Sequence, residues 1–404
     1  MQHYPHDDPP TDELDIMAGA TVKLPEGGRG TRRRRKRGWV VLLAVVLLLG
    51  GIGGGGMYLY RTFVSAPDFA GPGSGDVVIQ VEDGASTTKI GNVLTQHGVV
   101  ASAAAFRDAA ADDDRIRSVQ PGYYQMRKQM SAAAAVAMLL DPASRVGQLE
   151  IRGGVQLDDT RTPDGAIVPG VLSLISKATC ATIDGKQACV SVDELRSTMA
   201  KTDPAKLGVP EWALEDVGRA DPVRRLEGLL VPGRYDIEPG TPALDVLHEV
   251  LTTSAARLEA SGIVSGAQRI GSSPYQVLVI SSLVEKEALT PDMPRVARVI
   301  YNRLGAGQRL ELDSMVNYPL DLQAVRTTDA DRNKPGPYNS YTKPGLPPTP
   351  ISAPGREALA AAMSPEPGPW LYFVRCEKDG TSCFAESFAD HAKNIARARA
   401  NGAY

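Results

Sequence analysis

The chain has 404 residues, 43% of them hydrophobic, which suffices for two or three domains with real cores and excludes global disorder. Its formal net charge of −3 is too small for the whole molecule to seek a polyanion, so nucleic acid is not expected as a partner. Residues 1–37 are rich in Pro, Gly and charge without an apolar period and read as a disordered tail. The basic block Arg32 to Arg37 stands directly before an apolar stretch, 38–60, that includes Val40, Val41, Leu42, Leu43 and Leu47 to Leu49. About 20 apolar residues cross the hydrocarbon layer, so 38–60 is expected to be a single transmembrane helix. The basic block then keeps the N-terminus cytoplasmic and puts the body on the far side of the cell membrane. A cleaved signal peptide is the competing reading, since Val64-Ser65-Ala66 resembles a cleavage site, but the apolar run exceeds a signal core of about 7 to 15 residues.

Residues 61–75 carry Pro67, Gly71, Pro72, Gly73 and Gly75, the composition of a linker. Order is expected from Asp76. Val77, Ile79 and Val81 alternate as in a strand, 85–97 and 102–111 have helical patterns, the second with a Ser102 cap, 122–127 reads as a returning strand and 131–140 as a further helix. These elements make a small α+β module, 76–146, which is either a recognition domain or a bare spacer. A larger unit, 147–404, opens at Leu149 to Ile151, and 158–203 reads as an elaboration of it. Glu227 to Tyr235 reads as a turn between helices, with helices over 241–258, 273–289, 294–304 and 388–400. The fold class expected for the whole body is α+β.

The four cysteines flank two Asp-Gly turns: Cys180 and Cys189 around Asp184-Gly185, Cys376 and Cys383 around Asp379-Gly380. Asp-Gly favours a two-residue hairpin. Counting outward from each turn sets Cys180 opposite Cys189 and Cys376 opposite Cys383, within disulfide reach. Two such bridges imply an oxidising compartment.

One charge is out of pattern. In the 273–289 helix Val277, Ile280, Leu283, Val284 and Ala288 form an apolar stripe, and Glu287 lies on it, whereas Glu285 shares a face with Leu278, Ser281 and Ser282. A carboxyl on a buried face has its pKa raised and can act as a general acid. The alternative is a rim residue paired with Arg295 or Arg298. Further on, 333–354 is loaded with Pro and Gly, and loops longer than about 12 to 15 residues are more often functional than connective. Its Tyr338, Asn339 and Tyr341 offer aromatic faces and an amide suited to sugar rings and N-acetyl groups, unless the tyrosines merely pin the loop to the core. Asn302, near the end of 294–304, is a further candidate for substrate binding. The sequence holds no His-Glu-x-x-His, no Gly-x-Ser-x-Gly and no phosphate loop, so no metal and no cofactor is expected.

The segments LVISSLVEKEA, VARVIYNRL, LELDSMVNYPL, PYNSYTKPGLPPTPIS and LYFV, in this order, resemble the endolytic murein transglycosylase family, the YceG-like or MltG-type proteins, most closely over 271–404. The resemblance implies a LysM-like module before a YceG-like catalytic domain. It also implies a lyase that cuts nascent peptidoglycan strands beside the membrane and terminates their elongation, with cell-wall synthases and division proteins as possible partners. In the family's Glu-Lys-Glu motif the second glutamate is catalytic, here Glu287, and its Tyr-Asn-x-Tyr loop falls on Tyr338, Asn339 and Tyr341. Departures are Arg152-Gly153-Gly154 in place of a Pro-Glu-Gly turn, Val231-Pro232-Gly233-Arg234-Tyr235 in place of an aromatic Pro-Asp-Thr-Tyr region, and the cysteine hairpins. The implied reaction is non-hydrolytic and uses one carboxyl as acid and then base. A hydrolase would need a second carboxyl about 5 to 9.5 Å away, for which Asp313 is the candidate. A non-catalytic anchor that binds peptidoglycan and recruits synthesis proteins is the alternative from another class.

Overall fold

The computed structural model describes residues 45–47, 66–323 and 327–403. The expected tail, 1–37, lies outside the described residues, as do 61–65 and all of the expected span except Val45 to Leu47, which are helical. Among the described residues no helix is long and apolar enough to cross a membrane. The described body from Ala66 is mixed α+β.

Order begins earlier than Asp76. The first strand runs Pro72–Val81, and the residues before it are tied to two helix starts. The Asp68 carboxylate accepts from Ala132 N (2.9 Å), Gly71 O from Ser131 N (2.8 Å), and Pro67 O from the Ser102 hydroxyl (2.8 Å). The strand pairs antiparallel with Gly122–Met130, which pairs with Arg145–Val146. Helices Thr87–Gln96, Ala103–Ala111 and Ala132–Leu140 begin on the serine caps Ser86, Ser102 and Ser131 and close a core of Ile79, Leu94, Phe106, Met126 and Leu139. This module touches the larger unit through Arg145 and Asp236 (3.2 Å) and through Thr182 N, which donates to the Gln125 side chain (3.1 Å).

In the larger unit, Gln148–Ile151 pairs with Gly233–Asp236. The stretch 227–235 is therefore a buried turn only in its first half; its second half is a strand. The elaboration holds two helices, Val171–Ala178 and Val192–Lys201. Its hairpin has the expected register, with Ala181 opposite Ala188, and Asp184 and Gly185 both at positive φ as a two-residue turn requires. The second hairpin departs from expectation: Cys383 lies opposite Val374, and Arg375 opposite Ser382. The Asp379 carboxylate accepts from Thr381 N (2.9 Å), and Cys376 N and Glu377 N both donate to Thr381 O, so the turn is wider than two residues. Both disulfides are present, with Cα atoms 4.3 Å apart in Cys180–Cys189 and 5.6 Å in Cys376–Cys383. Each closes a short loop, worth about 2 to 3 kcal/mol of chain entropy. Denaturant unfolding of a Cys376→Ser, Cys383→Ser double variant should show a loss of that size.

A central helix, Pro274–Glu287, organises the unit. It starts on a capping box between Ser273 and Gln276, with Pro274 in the first turn. It is not a striped surface helix: Tyr275 and every residue from Val277 to Val284 are buried. Helices Ile263–Ile270, Met293–Gly305, Asp313–Asn317 and Arg356–Met363 pack round it. The two serines that share a face with Glu285 are buried at no polar cost. Ser281 donates to Val277 O and Ser282 to Val279 O (both 2.7 Å), and Ser282 accepts from Ile351 N (3.0 Å).

Candidate functional site

Burial alone does not separate Glu287 from Glu285, since the helix is covered on every side and both carboxylates are half-buried at its end. Their partners separate them. Glu285 accepts from Gly355 N (2.9 Å) and lies against Gly153, where a Cβ would meet its Oε1 at 2.4 Å. The absence of a side chain at 153 leaves room for that carboxylate, the far end of a flexible side chain that would otherwise have to shift. Lys286 donates to Gly154 O (3.3 Å). Glu285 and Lys286 therefore pin the helix end to the 152–155 turn and to the chain after the long loop.

Glu287 has different company. Its Oε1 accepts from the Ser314 hydroxyl at 2.5 Å, and Arg375 donates to its main-chain oxygen at 3.3 Å. Burial pushes its carboxyl above the ordinary value and the nearby Asp313 charge adds to this, against the Ser314 hydrogen bond and the Arg375 charge. Arg295 and Arg298, the arginines considered for a rim pair, are engaged elsewhere: Arg295 with the Glu366 carboxylate, and Arg298 with the main-chain oxygens of Pro365 and Glu366.

Beside Ser314 stands a second, ionised carboxylate. Asp313 accepts from Thr327 Oγ1 (2.6 Å), Tyr341 Oη (2.7 Å) and the Arg332 guanidinium (3.1 and 3.0 Å). Burial raises its pKa, but these hydrogen bonds and the Arg332 charge together hold it below the ordinary carboxylate value. A carboxyl pushed up and one held down, on adjoining segments, is the pattern of an acid beside a fixed negative charge. The Arg332 guanidinium also lies 4.8 Å from the centre of the Tyr341 ring.

The long loop is organised differently from expectation. Tyr341 is half-buried and belongs to the cluster through Asp313. Tyr338 is 6% exposed, bonds Thr349 (2.7 Å) and packs on Tyr318 with centroids 4.9 Å apart, so it pins the loop to the core. Asn339 is 5% exposed, and its amide is spent on the loop itself. Nδ2 donates to the carbonyls of Asp331, Arg332 and Lys334, and Oδ1 accepts from Tyr341 N and Thr342 N. Asn302 donates to the carbonyls of Gly368 and Trp370, anchoring the chain before the second hairpin. Of the four expected binding residues, only Tyr341 reaches the Glu287 surroundings. Sequence reasoning passed over Ser314, Arg332 and Arg375. The Asp313-Ser314 pair at the start of a short helix is a legible signal for the first of these, whereas the arginines arrive from distant segments.

Tyr341→Phe keeps the ring and deletes one donor to Asp313. Because the folded pKa of Asp313 is depressed, its contribution is present above the unfolded value of about 3.9 and is lost as pH falls through the folded value. Thermal melts should show a loss of about 1 to 2 kcal/mol at neutral pH, closing below about pH 4. As to metals, Cys376, Glu377 and Cys383 lie close together, but the disulfide leaves no thiolate to ligate.

The YceG-like family is matched over residues 79–397. The chain is 26% identical over 320 residues to the endolytic murein transglycosylase of Bacillus subtilis, covering 78% of this chain and 83% of that protein. It is 26% identical over 333 residues to the protein of the same name from Streptococcus pneumoniae, covering 79% of this chain but only 58% of the relative. A crystal structure of a YceG-like protein from Listeria monocytogenes aligns with a TM-score of 0.52 at 25% identity, covering 79% of this chain and 99% of that one.

Proposed function

The chain belongs to the YceG-like family, and from that premise we propose that it is an endolytic peptidoglycan transglycosylase. It cuts the bond between N-acetylmuramic acid and N-acetylglucosamine within nascent strands, leaves 1,6-anhydromuramic ends and so terminates strand growth. The observation that carries this reading is Glu287, a half-buried carboxyl pushed up by burial and oriented by the Ser314 hydroxyl. A carboxyl whose pKa is raised above the ordinary value is better suited to hold and deliver a proton as a general acid. Glu287 protonates the glycosidic oxygen as the bond to C1 breaks. The same carboxylate then takes the proton of the muramoyl C6 hydroxyl while that oxygen closes onto C1. Ionised Asp313 stabilises the positive charge that develops on the sugar ring. The names of the two relatives support the same substrate.

In this reading 38–60 spans the cell membrane, the tail is cytoplasmic and the body works outside. Two disulfides support an oxidising compartment. The 76–146 module is the LysM-like part, and cell-wall synthases and division proteins are the protein partners. The ionised carboxylate of Asp313, on the segment that carries Ser314, supports one second reading, a hydrolase in which Asp313 activates water.

The test is the full chain in lipid vesicles with uncrosslinked peptidoglycan strands, its products weighed by mass spectrometry beside Glu287→Gln. Internal fragments with anhydro ends, absent from the variant, are expected. Fragments heavier by one water, with free reducing ends, would move the assignment to the hydrolase. No cleavage by either protein would leave a recruiting anchor.

A further inference from the structure

Outside the cluster just described, the most deeply buried carboxyl with a raised pKa is Glu227, only 2% exposed, in the apolar turn that includes Leu226, Leu229, Leu230 and Val231. Its two oxygens accept from Leu157 N (3.2 and 3.0 Å), and Oε2 also accepts from the Tyr318 hydroxyl (3.0 Å). Tyr318 is 1% exposed, held between the Arg224 guanidinium, 4.8 Å from its ring, and the ring of Tyr338. Burying a carboxyl in such a place is costly, and an apolar side chain of similar volume would fill the turn at less expense. What the carboxyl supplies is two strong acceptors that fix a main-chain N–H and a phenol together.

The position of Tyr318 gives that fixation a target. The short helix Asp313–Asn317 runs directly into the turn Tyr318–Leu320, so Ser314 and Tyr318 are four residues apart and neighbours on one helical face. One end of this turn carries the hydroxyl that donates to Glu287, and the other carries the hydroxyl that donates to Glu227. A second link runs through Lys286, the residue before Glu287, for which Glu227 is the strongest of three carboxylate influences. Resting on the transglycosylase reading, we infer that Glu227 is a positioning residue of the reaction: it seats Tyr318 and thereby sets where the Ser314 hydroxyl meets Glu287.

Burial pushes the Glu227 carboxyl up to about 7, against the hydrogen bonds from Leu157 and Tyr318, and Asp158, Arg224 and Lys286 are the charges that face it. Its site is thus balanced between protonation states, and a change in its partners is expected to reach Ser314. Because the Ser314 hydrogen bond lowers the Glu287 pKa, a loosened Ser314 should let that pKa climb.

The experiment follows the Glu287 carboxyl by 13C NMR against pH in the full chain in detergent, the resonance identified by its loss in Glu287→Gln. Tyr318→Phe and Glu227→Gln are compared with the wild type. Both variants should shift the Glu287 titration upward by about half a unit or more. On peptidoglycan strands kcat should fall about tenfold with KM within about twofold, the mark of an interaction that matters in the transition state. Tyr318→Phe removes one hydroxyl and keeps the ring, so a folded protein is expected even where Glu227→Gln fails to fold. An unchanged Glu287 titration in Tyr318→Phe overturns the inference, as does a loss of kcat that only tracks a loss of folded protein. The titration needs no turnover, so if the wild type does not cleave, the transglycosylase reading falls while the positioning of Glu287 by Glu227 is still decided.

Discussion

Glu287→Gln should lower cleavage of peptidoglycan strands by at least about a thousandfold while leaving the protein folded and able to bind glycan. General acid catalysis contributes about 10² to 10⁴, and in the proposed reaction one carboxyl acts twice, so no other group can take over its second step. Glutamine keeps the side-chain oxygen that accepts from Ser314 and has no proton to deliver. The sign of the stability change is an independent check. The folded pKa of Glu287 lies above its unfolded value, so the native state holds the proton more tightly and stability is lost as pH rises from about 4.3 through the folded value. The glutamine variant lacks that loss. Its melting temperature at neutral pH should equal or exceed that of the wild type, and the difference should vanish below about pH 4. A clear drop in melting temperature at neutral pH would identify Glu287 as a structural ion-pair partner instead of an acid. Unchanged cleavage would remove it from the mechanism.

Asn339→Ala should cost about 3 to 4 kcal/mol and most of the activity. The amide makes five hydrogen bonds, three as donor and two as acceptor, in a side chain only 5% exposed. Removing it strands main-chain groups at the centre of the loop, each at about 1 to 3 kcal/mol where water cannot replace the partner. The activity loss follows from geometry. Asn339 Oδ1 holds Tyr341 N at 2.9 Å, and Tyr341 reaches Asp313. Its Nδ2 holds the carbonyls of 331, 332 and 334, the segment that carries Arg332 to the same carboxylate. Urea unfolding with the slope unchanged would report the stability term. Glycan affinity measured in a Glu287→Gln background would separate the two roles of this residue. If affinity fell while stability held, Asn339 would be a direct ligand of the N-acetyl group, as its residue type first suggested.

Local elements were largely legible. The Ser102 cap, the alternation of Val77, Ile79 and Val81, and the Asp184-Gly185 turn follow from interactions within a few residues, and the structure agrees with each. The Cys376–Cys383 hairpin shows the limit of counting, because a side chain inside the turn, Asp379, changed the turn type and shifted the register. Glu287 could be named because it stood at the end of an apolar run, yet the stripe argument described the helix incompletely. Periodicity reports the face a helix buries only when another face stays wet, and here neighbours cover every side.

From the sequence alone came the α+β class, the two cysteine pairs, the position of the acidic residue and the motifs by which the family was recognised, since all of these are written in residue order and local spacing. The tertiary structure decided the rest. It spent Glu285, Tyr338, Asn339 and Asn302 on holding segments together, and it brought Ser314, Asp313, Arg332 and Arg375 around or beside Glu287. The physical reason is that a side chain's role depends on which partner takes its hydrogen bonds. For these residues the partners lie up to 88 positions away along the chain, where no local pattern carries information about them.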